Sequence, residues 1–488
     1  LTARTKGRES STEQWAGIPI CIDPAPKVTS YGHEFRYFSP AEILDSVRFL
    51  PRYVRHRFRV HSSSIRNYLS TAGRHRTNVM SSSDTENGVS FEIDSETELI
   101  LENLDRFIEQ EIRPLEADLD DVLENPRVGH EDNGRLTDDY LAAIETVRKK
   151  SADAGFYAMN MPAEVGGSGV SNVTWYRAIT HVFSKGLGLN EHVLAGPEGP
   201  KPLLLLADED QRETYVEPVV RGEKSTAFAQ TEPVAGSDSP AMETTAEKDG
   251  DEWILNGQKQ WITNAPYADF AQVFARTTPQ EEAGRYGGIT CFIVERDKWE
   301  LGSFNNTPAA VGMQAELRFD DVRLPADRVL GDVGKAFYAA MDFLSLGRLE
   351  LGAQAVGLAD YVLDRATEYA REREAFDRPI GDFQQISSQI ARGRAKQYAA
   401  DSSGLRCAWK MDQDESVVED TSIFKWFATQ TYWEAADSAV QIHGGNGLSE
   451  DYGFMEHLNY ARLLRIVEGT DELQLNTIAK QHGLLESQ

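Results

Sequence analysis

Cysteine is scarce: Cys21, Cys291 and Cys407 are the only three among 488 residues, and no two stand in C-x-x-C spacing. That excludes a disulfide-stapled secreted scaffold and a thiolate metal centre, and leaves free thiols in a reducing, cytoplasmic compartment as the expectation. No stretch approaches the ~18 consecutive apolar residues of a membrane-spanning helix, so no membrane insertion is expected. G-x-x-x-x-G-K-[ST], G-x-S-x-G and H-E-x-x-H are all missing, which removes the familiar NTPase, serine-hydrolase and zinc-hydrolase signatures. The ten histidines form no ligand pattern; no metal is expected, and His443 reads as a packing residue.

Positive charge is scarce as well, with 50 Lys and Arg against 78 Asp and Glu, a formal net of -28. The imbalance is uneven. Residues 1–79 carry 13 basic and 6 acidic side chains, whereas residues 80–488 carry 37 and 72, for nets of +7 and -35. The first methionine is Met80. One reading makes residues 1–79 an upstream extension outside the native fold, with a natural start at Met80 and a chain of 409 residues. A second is a targeting peptide, since the stretch is rich in Arg and Ser, although Glu9, Glu13, Asp23, Glu34, Glu42 and Asp45 run against it. A nucleic-acid-binding arm lacks any repeated basic and aromatic spacing. The acidic body predicts repulsion from nucleic acid and anionic lipid, and suits a halophilic cytoplasm in which molar salt screens self-repulsion.

Periodicity divides the rest into an N-terminal helical domain (80–222), a middle β-domain (223–331) and a C-terminal helical bundle (332–488), an α+β chain. Apolar residues recur at three and four spacing from residue 91, with Asp94 and Ser95 as N-cap candidates. The loop 162–170 carries three glycines but lacks the last Gly of G-x-G-x-x-G, so a plain loop is expected rather than a dinucleotide site. The segment E-W-I-L-N-G-Q-K-Q-W-I-T reads as a hairpin turning at Asn256-Gly257. Several short strands in about a hundred residues suggest a small barrel or sandwich, and the long helices that follow suggest a bundle.

Chemistry concentrates in four polar motifs. F-A-Q-T-E-P-V-A-G-S-D, residues 228–238, offers small residues for close backbone approach and the hydroxyls of Thr231 and Ser237; alone it is ordinary turn material. Trp261 to Thr263 ends a strand with a flat aromatic and a hydroxyl, equally a core feature. Arg371, Arg373 and Phe376 precede R-P-I-G-D-F-Q-Q, equally a solvated face. Residues 441–470 open with Q-I-H-G-G-N-G and close with R-I-V-E-G-T, which places Glu468 just before a helix start at Thr470-Asp471-Glu472.

In this order and spacing the motifs resemble the acyl-CoA dehydrogenase family over residues 91–483, nearly all of the chain beyond Met80. The resemblance implies a helical N-terminal domain, a β-barrel or sandwich middle domain and a C-terminal four-helix bundle, assembled as a homotetramer or dimer around FAD. By matching position, Phe228, Thr231, Gly236 and Ser237 would line the isoalloxazine, with Ser237 also near the substrate thioester. Trp261 and Thr263 would lie against the flavin ring. Arg373, Phe376, Gln441 and Gly445 would meet FAD from a neighbouring subunit, and Thr470 would touch its pyrophosphate. Arg348 would hold the CoA arm, and Val467 would shape the acyl pocket. Glu468 would remove the α-proton of an acyl-CoA while the β-hydrogen leaves as hydride to the flavin, giving a trans-2-enoyl-CoA as in fatty-acid β-oxidation. Electrons would pass to an electron-transfer flavoprotein.

Some relatives place the base just before the arginine that is Arg348 here; Gly347 occupies that position, leaving Glu468 as the family-compatible base. The chain departs from the family pattern at Asp377, Gly453, Glu456, Asn459, Tyr460 and the loop P-A-A-V-G-M-Q-A-E-L, which bears on subunit contacts and substrate preference. The rival readings are an acyl-CoA oxidase or other flavin oxidation on the same fold, and a noncatalytic flavoprotein. The latter, as a DNA-binding protein, calls for a basic bundle face that the acidic body opposes.

Overall fold

The computed structural model describes residues 93–119, 129–310 and 312–485. The basic segment 1–79, with the readings of it as an extension or a targeting peptide, and Cys21 lie outside them. Three helices organise the N-terminal region: α1 (Ser95–Phe107), α2 (Asp138–Asp153) and α3 (Asn172–Phe183). Asp94 caps α1 by accepting from the Thr97 N–H at 2.8 Å, and Ser171 caps α3 through Thr174 N–H at 3.1 Å, each satisfying a donor the helix leaves open. The loop at 162–170 holds only a short 3-10 turn, Ala163–Val165.

Eight strands follow: β1 (Thr226–Ala229), β2 (Thr245–Asp249), β3 (Glu252–Thr263), β4 (Phe270–Arg276), β5 (Ile289–Glu295), β6 (Glu300–Phe304), β7 (Gln314–Pro325) and β8 (Val329–Leu330). They form one sheet in the order β6-β7-β3-β2-β4-β5-β8, with β1 joined in parallel to β4. β4 and β5 are buried on both faces, which explains their continuous apolar runs. Phe270, Phe274, Cys291 and Ile293 face the helical region with Leu204, Val216 and Phe337, while Ala271, Val273, Phe292 and Val294 face a core closed by Leu255, Leu317 and Phe319.

The expected hairpin at Asn256-Gly257 is not there. β3 runs unbroken through both residues, and the β2–β3 turn lies at Gly250 and Asp251, where Gly250 has φ +64°. Asn256-Gly257 is instead an irregularity in the β3–β7 pairing. Its Asn side chain exchanges hydrogen bonds with Asp321 (3.1 Å to the carboxylate, 2.7 Å from the N–H). A Cβ at Gly257 would come within 2.7 Å of Thr244 Cα. The dipeptide serves a bulge and a close approach between strands, because pairing with both β2 and β7 keeps β3 extended.

The C-terminal region holds α4 (Ala336–Glu372), α5 (Gln384–Asp412), α6 (Val418–His443), α7 (Phe454–Leu464) and α8 (Asp471–Gln481). Leu349, Val356 and Leu363 of α4 and Phe424 and Tyr432 of α6 share one core with Leu104, Trp175 and Val182 from the N-terminal helices. Each such fully buried side chain contributes about 1.5–3 kcal/mol, so the two helical regions are packed as one body. Among the described residues no helix is long and apolar enough to cross a membrane, and no group of His, Cys, Asp and Glu forms a metal cluster. Cys291 and Cys407 are buried free thiols.

Candidate active site

Glu468 lies in the turn between α7 and α8 with φ +53°, a left-handed conformation uncommon for a residue with a side chain, and Gly469 follows at φ +87°. Such backbone persists only where its surroundings hold it. Gln474 Nε2 donates to Glu468 O at 3.1 Å and to Gly469 O at 3.0 Å, and the fully buried Lys425 donates to Gly469 O at 2.7 Å. Burial pushes the Lys425 ammonium down to about 8. Thr470 caps α8 as its sequence position predicts, and Asp471 accepts from Arg465 (2.7 Å) and Gln430 (2.9 Å). Among the described residues the Glu468 backbone N–H meets no acceptor.

The Glu468 carboxylate stands over Gly347 of α4, where a built Cβ would lie 3.1 Å from Oε2. The side chain is open to solvent, yet protein crowds it enough that desolvation leads the effects on its carboxyl and raises its pKa. Both hold for a group that many protein atoms surround and that water still reaches. Lys201 opposes the rise, Glu350 adds to it, and Arg348 and Lys425 oppose it. Glu350 accepts from the Trp175 indole at 3.0 Å and from Lys201 at 2.9 Å. Arg348 points Nη1 at Ser422 Oγ, 3.4 Å away, while its Nε is buried without a partner. Half-buried Val467 packs against the helical core.

The β-domain presents a second group. Phe228 on β1 packs on Phe274 (5.0 Å between centroids). Beyond it, Thr231 O accepts from Gln260 N–H at 2.9 Å. Glu232 and Lys259, 2% and 0% exposed, form an ion pair at 2.7 Å, and Glu232 also accepts from the N–H groups of Glu243 (2.5 Å) and Thr244 (3.0 Å). This ties the 230–238 loop to β3. Gly236 and Ser237 are exposed, with open space where a Gly236 Cβ would be. Trp261 is exposed at φ +62°, its N–H on Asn305 Oδ1 at 3.2 Å, and Thr263 Oγ1 accepts from Gln314 at 3.3 Å. Gln230 Nε2 is a buried donor without a partner. An orphaned amide donor, a bare aromatic surface and a loop open to backbone approach fit the edge and face of a flavin ring.

Arg373, Phe376, Gln441 and Gly445 form a third group. Arg373 ends α4, Phe376 is 88% exposed at φ +53° and meets Phe383 edge-on (6.0 Å), Gln441 is exposed in the last turn of α6, and Gly445 faces open space. Tyr369 links the two segments by stacking on His443 (4.1 Å) and meeting Asn446 Nδ2 (3.3 Å). His443 is a packing residue, as expected. Among the described residues no hydrogen bond, ion pair or ring contact joins this group to the 230–238 loop.

Sequence reasoning missed Lys201, Glu350, Trp175, Gln230, Lys425 and Gln474. For the three charged ones the available signal was a lone charge inside an apolar stretch: Glu350 in L-E-L-G-A, Lys201 in G-P-K-P-L-L-L-L and Lys425 in I-F-K-W-F, since a buried charge demands a partner.

Family profiles for the acyl-CoA dehydrogenase N-terminal, middle and C-terminal domains match residues 94–223, 227–322 and 334–483. A 3-(aryl)acrylate reductase of Clostridium sporogenes is 37% identical over 388 residues, 78% of this chain and 97% of the relative. A subunit of the caffeyl-CoA reductase-Etf complex of Acetobacterium woodii is 35% identical over 69% of this chain and 89% of its own. The solved butyryl-CoA dehydrogenase of Megasphaera elsdenii superposes with a TM-score of 0.69 at 29% identity, covering 80% of this chain and 99% of that one. The chain belongs to the acyl-CoA dehydrogenase family, FAD-dependent oxidoreductases that act on acyl-CoA.

Proposed function

We propose that this protein interconverts an acyl-CoA and its trans-2-enoyl-CoA, with Glu468 as the group that exchanges the α-proton and an electron-transfer flavoprotein as redox partner. The observation that carries the reading is the Glu468 carboxylate, which lies over Gly347 from a left-handed turn and has its pKa raised by its surroundings. An acyl thioester α-proton is very weakly acidic, and a recessed carboxylate matches it better than a solvated one. The free Glu468 N–H is a preorganised donor for the thioester oxygen, where negative charge develops as the proton leaves. Arg348 is a cation for the CoA arm, and Val467 borders the acyl chain.

Phe228, Gln230, Thr231, Gly236, Ser237, Trp261 and Thr263 would hold the flavin ring, and Arg373, Phe376, Gln441, Gly445 and Thr470 the rest of FAD across a homotetramer. When bound, FAD supplies two-electron hydride chemistry at Cβ. Two relatives bear reductase names, which favours a second reading of direction: protonated Glu468 delivers the α-proton to a 3-arylacrylyl thioester.

Anaerobic titration of the yellow holoenzyme with alkyl and 3-arylpropionyl thioesters tests both. Bleaching supports oxidation; reoxidation of the reduced enzyme by an arylacrylyl-CoA supports reduction. Glu468→Gln should stay yellow and lose both reactions, and turnover at the parent rate in that variant would remove Glu468 from the mechanism.

A further inference from the structure

We infer that Lys201 and Glu350, an ion pair anchored by the Trp175 indole on Glu350, are a positioning pair for Glu468: they bring a held ammonium to bear on a carboxylate that, among the described residues, no hydrogen bond holds. The inference rests on the reading of Glu468 as the base.

Three elements build the device. Trp175, on α3, is buried and gives its indole N–H to Glu350 Oε1 at 3.0 Å. Glu350 stands three residues beyond Gly347 on α4, on the face over which the Glu468 carboxylate lies. Lys201, just ahead of the 3-10 turn Pro202–Leu206, reaches Glu350 Oε2 at 2.9 Å and is 27% exposed, against 10% for its partner. Among the described residues the Glu468 carboxylate accepts no hydrogen bond, so after desolvation it is the neighbouring charges that bear on its ionisation. The charged groups that bear on it are Lys201, Glu350 and Arg348 and, from α6, Lys425. Lys425 is spent on Gly469 O behind the turn, and Arg348 is directed to Ser422. Lys201 is the cation with the strongest effect on Glu468, and its own ammonium is kept charged by Glu350, Glu468 and Glu198 in spite of desolvation.

The pair acts in two opposed directions. Lys201→Met leaves two carboxylates near each other without their cation, so Glu468 should hold its proton to higher pH. Glu350→Gln removes a repelling charge and should let Glu468 ionise at lower pH. A packing role predicts no such opposition.

The test uses full-length holoenzyme. pH-dependent infrared difference spectra of each background against its Glu468→Gln version isolate the Glu468 carboxyl without substrate, and the pH profile of acyl-CoA bleaching is recorded beside them. The expected result is displacement of the carboxyl titration and of the acid limb by about one pH unit, upward in Lys201→Met and downward in Glu350→Gln, with Lys201→Arg near the parent. Displacements in the same direction, or none, overturn the inference. Should Lys201→Met fail to fold, Lys201→Gln removes the charge and keeps a donor for Glu350. If no acyl-CoA bleaches the enzyme at any pH, the assignment of Glu468 as base falls, while the carboxyl titration still decides whether the pair governs Glu468.

Discussion

A single methyl group at position 347 separates folding from chemistry. Gly347 lies inside α4, where Ala is favoured over Gly by about 1 kcal/mol, but the new Cβ would stand 3.1 Å from Glu468 Oε2. The carboxylate is the free end of a side chain and can swing aside, so Gly347→Ala should melt no lower than the parent. Displacing the base is costly, because misplacement on the ångström scale costs rate by about 100-fold at the extreme. Flavin bleaching by acyl-CoA in stopped flow should therefore slow at least tenfold, by rough estimate on the same principle. Bleaching at the parent rate would show that the carboxylate need not sit over Gly347. Glu468 stood out as a candidate because Glu, Gly and the helix cap are consecutive in E-G-T and the family resemblance gives a glutamate there the role of base. Lys201 and Glu350 did not: they are 149 residues apart, and each alone reads as one more charge. Only the fold, through Trp175, makes them a unit.

The same contrast holds for elements. The helices could be read from periodicity and caps, with Asp94 and Thr470 at the expected starts. β3 could not, because Asn-Gly is the strongest local turn signal and nothing local announces that β7, some sixty residues on, pairs with both halves of the strand. In that region the Lys259–Glu232 ion pair is buried and costly to break. Lys259→Met strands a desolvated carboxylate and should cost about 3–5 kcal/mol, read by urea denaturation and by loss of yellow colour as the 230–238 loop loosens. Adding Glu232→Gln, which leaves no buried charge and keeps one amide oxygen for the N–H of 243 or of 244, should restore part of the loss; a double variant as weak as the single would discount the charge argument. On α7, burial, then Glu191 and Glu450, push Glu456 up to about 7 from 4.5. Between those values the folded chain binds more protons than the unfolded one. The stability that the neutral form contributes is thus complete below pH 4.5 and lost as pH rises through 7. Glu456→Gln should melt close to the parent at acid pH and above it at pH 8, a divergence that thermal scans at the two pH values will reveal or refute.

For the whole molecule, composition was legible where topology was not. The change from helical to alternating periods and back marks three regions in the order the family profiles assign, but the parallel pairing of β1 with β4, 44 residues apart, leaves no trace in either strand. Net charge needs no topology. With 72 acidic and 37 basic side chains beyond residue 79, folding brings like charges together, and this self-repulsion opposes the compact state. The opposing attractions are small: exposed pairs such as Arg323 with Asp249 and Glu252 are worth at most about 1 kcal/mol each. Raising KCl from about 0.1 to about 1 M shortens the screening length from about 10 to about 3 Å. That suppresses the many long-range repulsions more than the few contacts, while the buried pairs at Glu232 and Glu350 are hardly screened. The melting temperature should therefore climb with KCl, and the rate of flavin bleaching should hold or rise. A melting temperature that falls across that range would mean that attractive surface pairs outweigh the net charge, and the halophilic reading would go with it.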